Sequence, residues 1–230
     1  MLKLYYARPS LYARPVWLAL LEKQLPFELM PVNLGGEQFE PDFLALNPFS
    51  RIPVLVDGDL RVIESLAILD YLEARYPQPP LLPTEPATLA KVRMVQLIVL
   101  NELLPAAVKV LMQADSTSEP SADLEYARLR VTKSLHFLEN LLSNAPYFAG
   151  EQLTLAEIVA GTLVCRVPDL SIALEDYPKL HHWSMRLLSR PTWQQIALSP
   201  EEWQQFKRRI RKLPLIWERR RRQRLRTARH

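Results

Sequence analysis

The stretch LALNPFSRIPVLVDGDLRVIESLAILDYLEARYP, residues 44–77, decides the fold of this 230-residue chain. Pro53–Val56 and Leu60–Ile63 are short apolar runs around Asp57-Gly58, a dipeptide that favours the turn of an antiparallel hairpin. Ser65 opens a helix to Tyr76, with Leu66, Leu69 and Leu72 on related faces. Toward the N-terminus, Pro41–Leu46 reads as a short helix behind Gly35 and Gly36, and Phe27–Val32 as a loosely alternating strand. Val16, Leu18, Ala19, Leu20 and Leu21 carry a helix to about Lys23, and Leu2–Tyr6 is a short apolar, aromatic strand. The order is βαβαββα, in which a right-handed parallel βαβ is joined by a hairpin to a last helix.

Downstream, residues 77–86 hold five prolines and read as a stiff linker. Beyond them the pattern is helical over about 87–113, 122–142, 155–167 and 178–188, and Pro105 predicts a kink or break in the first of these. Thr154-Leu155-Ala156-Glu157 has the form of a capping box, and Leu155, Ile158, Val159 and Thr162 share the buried face behind it. Trp203, Phe206, Ile210 and Leu213 make one stripe able to pack back on the body. The expected organisation is an α/β domain over 1–77, a linker over 78–86, an all-α domain over 87–200 and an extension over 201–230.

Composition removes several classes of function. The five glycines, at 35, 36, 58, 150 and 161, fit neither a dinucleotide fingerprint nor a phosphate loop. A single cysteine, Cys165, allows no internal disulfide and no Cys-x-x-Cys pair, and reads as a small buried hydrophobe. The four histidines form no zinc pattern, so no metal is expected. No uncharged apolar run of 18 residues and no leader stand out, which predicts a soluble, cytoplasmic protein. Charge is uneven: from Lys207 on there are twelve basic residues and one acid, a net +11, whereas the preceding 206 residues carry −7. The basic balance belongs to the tail alone.

Three segments carry a family resemblance: KLYYARPSLYARPVWLAL at 3–20, LALNPFSRIPVLVDGD at 44–59 and IESLAILDYLEARYP at 63–77. In register they resemble the thioredoxin-like domain of a cytosolic glutathione S-transferase, and the likeness extends over roughly residues 1–200. It implies a thioredoxin-like N-terminal domain followed by a helical one, glutathione as co-substrate, and an isologous homodimer. It also implies a cis peptide before Pro53 that exposes the Ile52 backbone to the tripeptide.

Glutathione has a thiol with a pKa of about 8.5, so only a few per cent is thiolate at pH 7. A hydroxyl donor beside a helix N-terminus lowers that pKa by hydrogen bonding to the anion. By resemblance, Ser10 stands where serine-type members keep that hydroxyl; read locally, it is equally a helix cap. Tyr5 and Tyr6 compete as phenol donors, although strand tyrosines are commonly sheet-surface residues. A cysteine-type mechanism has no cysteine near Ser10. Glu64 and Ser65, at a helix start that favours an anion, are implied to receive the γ-glutamyl ammonium and carboxylate; alone they read as a cap with a dipole-compensating acid. Arg51 and Gln38 are assigned to the glycyl carboxylate.

The cleft between domains is the expected electrophile site, with Leu11, Tyr12, Val108, Met112 and Tyr126 as wall candidates that read equally as core. A hydrophobic electrophile is expected, and its identity is not written in the residues. Isomerase or dehalogenase chemistry on the same site stays open. The rival reading is a non-catalytic binding or regulatory module whose basic tail meets a polyanion or an anionic membrane surface.

Overall fold

The computed structural model describes residues 1–113, 121–211 and 218, so Leu213 and the arginine run Arg219–Arg222 lie outside the described residues. Contacts divide the chain into two units, one of Met1–Leu20, Gln24–Tyr71 and the chain from Leu198 on, the other of Leu21–Lys23 and Leu72–Ala197.

The first unit is built on a four-stranded sheet in the order β2-β1-β3-β4, with β1 Leu2–Tyr6, β2 Phe27–Pro31, β3 Val54–Asp57 and β4 Leu60–Ile63. β1 runs parallel to β2 and antiparallel to β3, as a helical crossover followed by a hairpin requires. The hairpin turn falls one residue later than expected. Asp57 pairs with Leu60 in the ladder, and Gly58, at φ 59°, takes the left-handed corner that suits a residue without Cβ.

Alternation along β1 sends Leu2, Leu4 and Tyr6 to one face, where Tyr6 meets Trp17 of α1 (Ala13–Glu22) edge-on at 5.3 Å. The opposite face carries Tyr5, which meets Phe43 of α2 (Pro41–Leu46) at 6.4 Å, and a cluster of Val32, Phe43 and Val54. A short 3-10 turn, Glu37–Phe39, precedes α2. The helix α3, Ser65–Arg75, buries Ile68, Leu69 and Leu72.

In the second unit the proline-rich segment is tied down. The buried ammonium of Lys23 donates to the carbonyls of Tyr76 (2.7 Å) and Pro79 (2.9 Å) and pairs with Glu73, whose other oxygen accepts from Leu81 N–H. The helices α4, Pro86–Ile98, and α5, Leu104–Gln113, join through a π turn, Val99–Leu103. The cause is Pro105, which has no N–H for the carbonyl one turn back. That carbonyl, on Asn101, accepts instead from Arg130 Nη2 at 2.9 Å. The composite helix Pro86–Gln113 is long and apolar enough to cross a membrane, but half of its apolar window is buried in the protein, as in a core helix.

Among the described residues four further α-helices follow in this unit: α6, Ala122–Leu141; α7, Leu155–Val164; α8, Pro178–Leu188; and α9, Pro191–Gln195. The capping box forms as read: Thr154 N–H donates to Glu157 Oε2 (2.9 Å) and Thr154 Oγ1 accepts from Ala156 N–H (3.2 Å). Glu157 Oε1 also accepts from Phe148 N–H (2.8 Å), tying the preceding loop to the helix. The helix α7 stops three residues short of the expected Val167, where a 3-10 turn begins at a proline-containing step. Cys165 caps its end and is only partly buried, not the core residue expected. After α9 the chain enters α10, Pro200–Ile210, with Trp203 buried and Phe206 and Ile210 partly so.

Candidate functional site

Strand register gathers the sequence-selected residues at one end of the sheet. Tyr5 stands opposite Val54, and Val54 opposite Ile63, so the end of β1, the start of β3 and the end of β4 lie side by side. The segments that leave these ends are Arg8–Tyr12, Arg51–Pro53 and Glu64-Ser65.

Ser10 closes a turn, its N–H donating to Ala7 C=O at 2.9 Å, and then starts α1 by accepting from Ala13 and Arg14 N–H on its carbonyl. Its Oγ accepts from Ala13 N–H at 3.2 Å. The capping role is therefore present, yet it uses only a lone pair. A hydroxyl has a proton besides, and among the described residues the Ser10 hydroxyl donates to no group. The rings of Tyr5 and Tyr6, the alternative phenol donors, pack against Phe43 and Trp17 on the two faces of the sheet.

The loop into β3 is organised by Asn47, a buried residue whose role the sequence reading missed. Its Oδ1 accepts from Phe49 N–H (3.0 Å) and its Nδ2 donates to Arg51 C=O (2.7 Å). The signal was the Asn-Pro pair, since asparagine before a turn readily bonds the backbone two residues on. The Ile52–Pro53 peptide is cis, as the resemblance implied, and Ile52 stands outside the ladder that begins at Val54. Arg51 is exposed.

Glu64 is exposed in the left-handed region, φ 67°, and its carbonyl accepts the first helical bond of α3 from Ile68 N–H. The N–H groups of Ser65, Leu66 and Ala67 precede that bond and are the unpaired donors of a helix start. Ser65 is 7% exposed at their head. Burial raises the pKa of the Tyr12 phenol; Arg51 pulls it down and Glu64 pushes it up, so all three side chains share one field. Tyr12 is 43% exposed.

Gln38 lies beneath the loop ahead of α2. It is 1% exposed, its Nε2 donates to Leu34 C=O at 3.0 Å, and its Oε1 has no partner among the described residues. Leu11 is buried in the first unit between Ser10 and Tyr12. Val108 and Met112 on α5 are partly buried and Tyr126 on α6 is exposed, all in the second unit. Among the described residues there is no group of three or more His, Cys, Asp or Glu able to hold a metal ion.

Two family models match the chain: "Glutathione S-transferase, N-terminal domain" over residues 4–80 and "Glutathione S-transferase, C-terminal domain" over 100–191. A maleylacetoacetate isomerase of Mus musculus is 30% identical over 185 residues, 78% of this chain and 84% of that protein. Glutathione S-transferase Z1 of Arabidopsis thaliana is 35% identical over 187 residues, 78% of this chain and 83% of that one. Among solved structures, a glutathione S-transferase of Methylobacterium radiotolerans in complex with glutathione sulfonate superposes with a TM-score of 0.75 at 29% identity, covering 86% of this chain and 96% of that one. A delta-class glutathione transferase of Nilaparvata lugens gives a TM-score of 0.79 at 24% identity, covering 93% of this chain and all of that one, and speaks to the fold alone.

Proposed function

The chain belongs to the glutathione S-transferase family, and on that premise we propose that it is an enzyme that binds glutathione at the sheet end described above and uses it as a thiolate toward an electrophilic carbon. Glutathione-dependent transferase or isomerase chemistry is the function class its relatives support. The observation that carries the assignment of the thiolate donor is Ser10: its lone pair is spent on Ala13 N–H while its proton is uncommitted.

In this reading Ser65 and the first-turn N–H groups of α3 receive the γ-glutamyl carboxylate, where the helix dipole favours an anion. Glu64, held outward by its backbone, meets the ammonium group. Arg51 pairs with the glycyl carboxylate, and the Ile52 backbone, free of strand pairing, lies along the cysteinyl residue. Gln38 supports the loop and does not contact the ligand. Once formed, the thiolate adds to carbon; a leaving group then departs to give a conjugate, or the addition reverses and returns glutathione with an isomerised product. Mass analysis of products from a halogenated arene and from a cis-alkene diacid separates the two. Recovery of stoichiometric glutathione with an altered alkene geometry supports the isomerase branch, and a stable thioether the transferase branch. A wild-type chain that does not bind glutathione saturably refutes both.

The chain works as an isologous homodimer in this proposal, as is common for the family, and sedimentation tests it. Its basic segment, +11 over residues 207–230, adds a salt-dependent contact with polyanions.

A further inference from the structure

We propose that α10 clasps the rim of this site, with Glu202 as a positioning residue that holds the turn carrying Ser10. The consequence for catalysis rests on the glutathione reading above; the clasp itself does not. The matched family domains end at residue 191, ahead of α10.

Glu202 has two tasks. As the third residue of a capping box it accepts from Ser199 N–H on Oε2 at 2.8 Å, and its Oε1 lies 2.8 Å from Arg8 Nε. Arg8 belongs to the turn that Ser10 N–H closes on Ala7 C=O, and its guanidinium also lies over the Trp17 ring, 5.4 Å from the centroid. Arg8 therefore links α10, the turn and α1. Two turns further along α10, roughly 10 Å by helical rise, Arg209 Nη2 donates to Asn33 Oδ1 at 2.6 Å. The same oxygen accepts from Gly35 N–H at 3.0 Å, and Asn33 N–H donates to Glu37 Oε2 at 2.8 Å. The second anchor thus grips the loop after β2, which ends beside Tyr6 in the parallel ladder. Between the anchors Trp203 is 4% exposed and packs on Phe206, ring centroids 5.1 Å apart. One helix therefore braces two loops that rise from the sheet end where the site lies.

Glu202→Gln in the full chain separates the two tasks, because glutamine still accepts the Ser199 N–H but carries no charge for Arg8. The expected result is faster amide exchange at Ser10 without ligand, a raised pKa of the bound thiol, and glutathione binding weakened by up to about fivefold, the range of a half-exposed ion pair. Arg8→Gln should give the same changes, and the double variant no more than either alone. Trp203→Ala, checked for an intact fold by circular dichroism, should enlarge the exchange effect by releasing the whole helix. Unchanged Ser10 exchange and thiol titration in Glu202→Gln, or fully additive losses in the double variant, overturn the proposal. If the unsubstituted chain binds no glutathione, the function reading fails, and the exchange measurement alone still decides the clasp.

Discussion

Replacing Ser10 with alanine removes two interactions whose sizes can be worked separately. The first is the cap: Oγ accepts from Ala13 N–H at 3.2 Å, a long bond on a partly exposed side chain. Loss of a serine cap costs about 0.5–2 kcal/mol, and this geometry belongs near the low end. The second is the hydrogen bond that the proposed role has Ser10 donate to the bound thiolate. Bonds to charged groups contribute about 1.5–3 kcal/mol, and one pKa unit corresponds to about 1.4 kcal/mol, so the bound thiol should titrate roughly one to two units higher in the variant. Below the titration midpoint the thiolate fraction then falls about 10- to 100-fold, and kcat/KM with it. Thiolate absorbance of the glutathione complex against pH reads the second effect, and denaturant unfolding of the free chain reads the first. Ser10→Thr keeps both oxygen and proton and should restore both. A variant that loses stability while its bound thiol titrates as in the wild type would leave Ser10 as a cap only and refute its role as donor.

Further outcomes follow from the same geometry. Arg51→Gln should raise the KM for glutathione several-fold with kcat nearly unchanged, and should move the already raised Tyr12 ionisation higher still, because Arg51 is what opposes its burial; a downward move in a difference-absorbance titration against Tyr12→Phe contradicts this. Burial pushes the Glu157 carboxyl above its ordinary range, against the bonds it accepts from Phe148 and Thr154. The native state thus holds that proton more tightly than the unfolded chain. Its contribution to stability is complete below the unfolded pKa of about 4.3 and is lost as pH rises through the higher folded value. Glu157→Gln should remove this component of the pH dependence, and denaturant midpoints measured from pH 4 upward check it. In Gly161→Ala the new Cβ would overlap Trp193 Cη2 and come 2.6 Å from Leu187 Cδ1. Overpacking should outweigh the ~1 kcal/mol gain in helix propensity and leave a net loss of about 1–3 kcal/mol; an unchanged unfolding midpoint contradicts that packing. Ending the chain after Arg211 should abolish most salt-sensitive retention on an anionic polymer, and equal elution of the two chains would remove the tail from that role.

The sheet and its helices were legible because local rules and tertiary demand agree there. Period-two burial in Leu2–Tyr6, the glycine of the hairpin, and the Thr154–Glu157 box each act over a few residues and need no distant partner. Pro105 announced a disturbance for the same reason, but its form was not announced. Asn101 C=O finds Arg130, 29 residues away, and no periodicity encodes that meeting.

At the site, the sequence alone determined which residue types leave the sheet end: a serine before α1, a cis-proline segment before β3 and a Glu-Ser pair before α3. Only the tertiary structure decided what each can do. Whether Gln38 offers a donor depends on its burial against Leu34; whether Ser10 is a cap, a donor or both depends on which side of its hydroxyl Ala13 occupies. The stripe through Trp203 foretold that α10 packs back, and not where. That choice rests on Glu202 meeting Arg8 and Arg209 meeting Asn33, contacts across 194 and 176 residues of chain. Such pairs are made by charge and shape in three dimensions, which a linear pattern of charges does not fix.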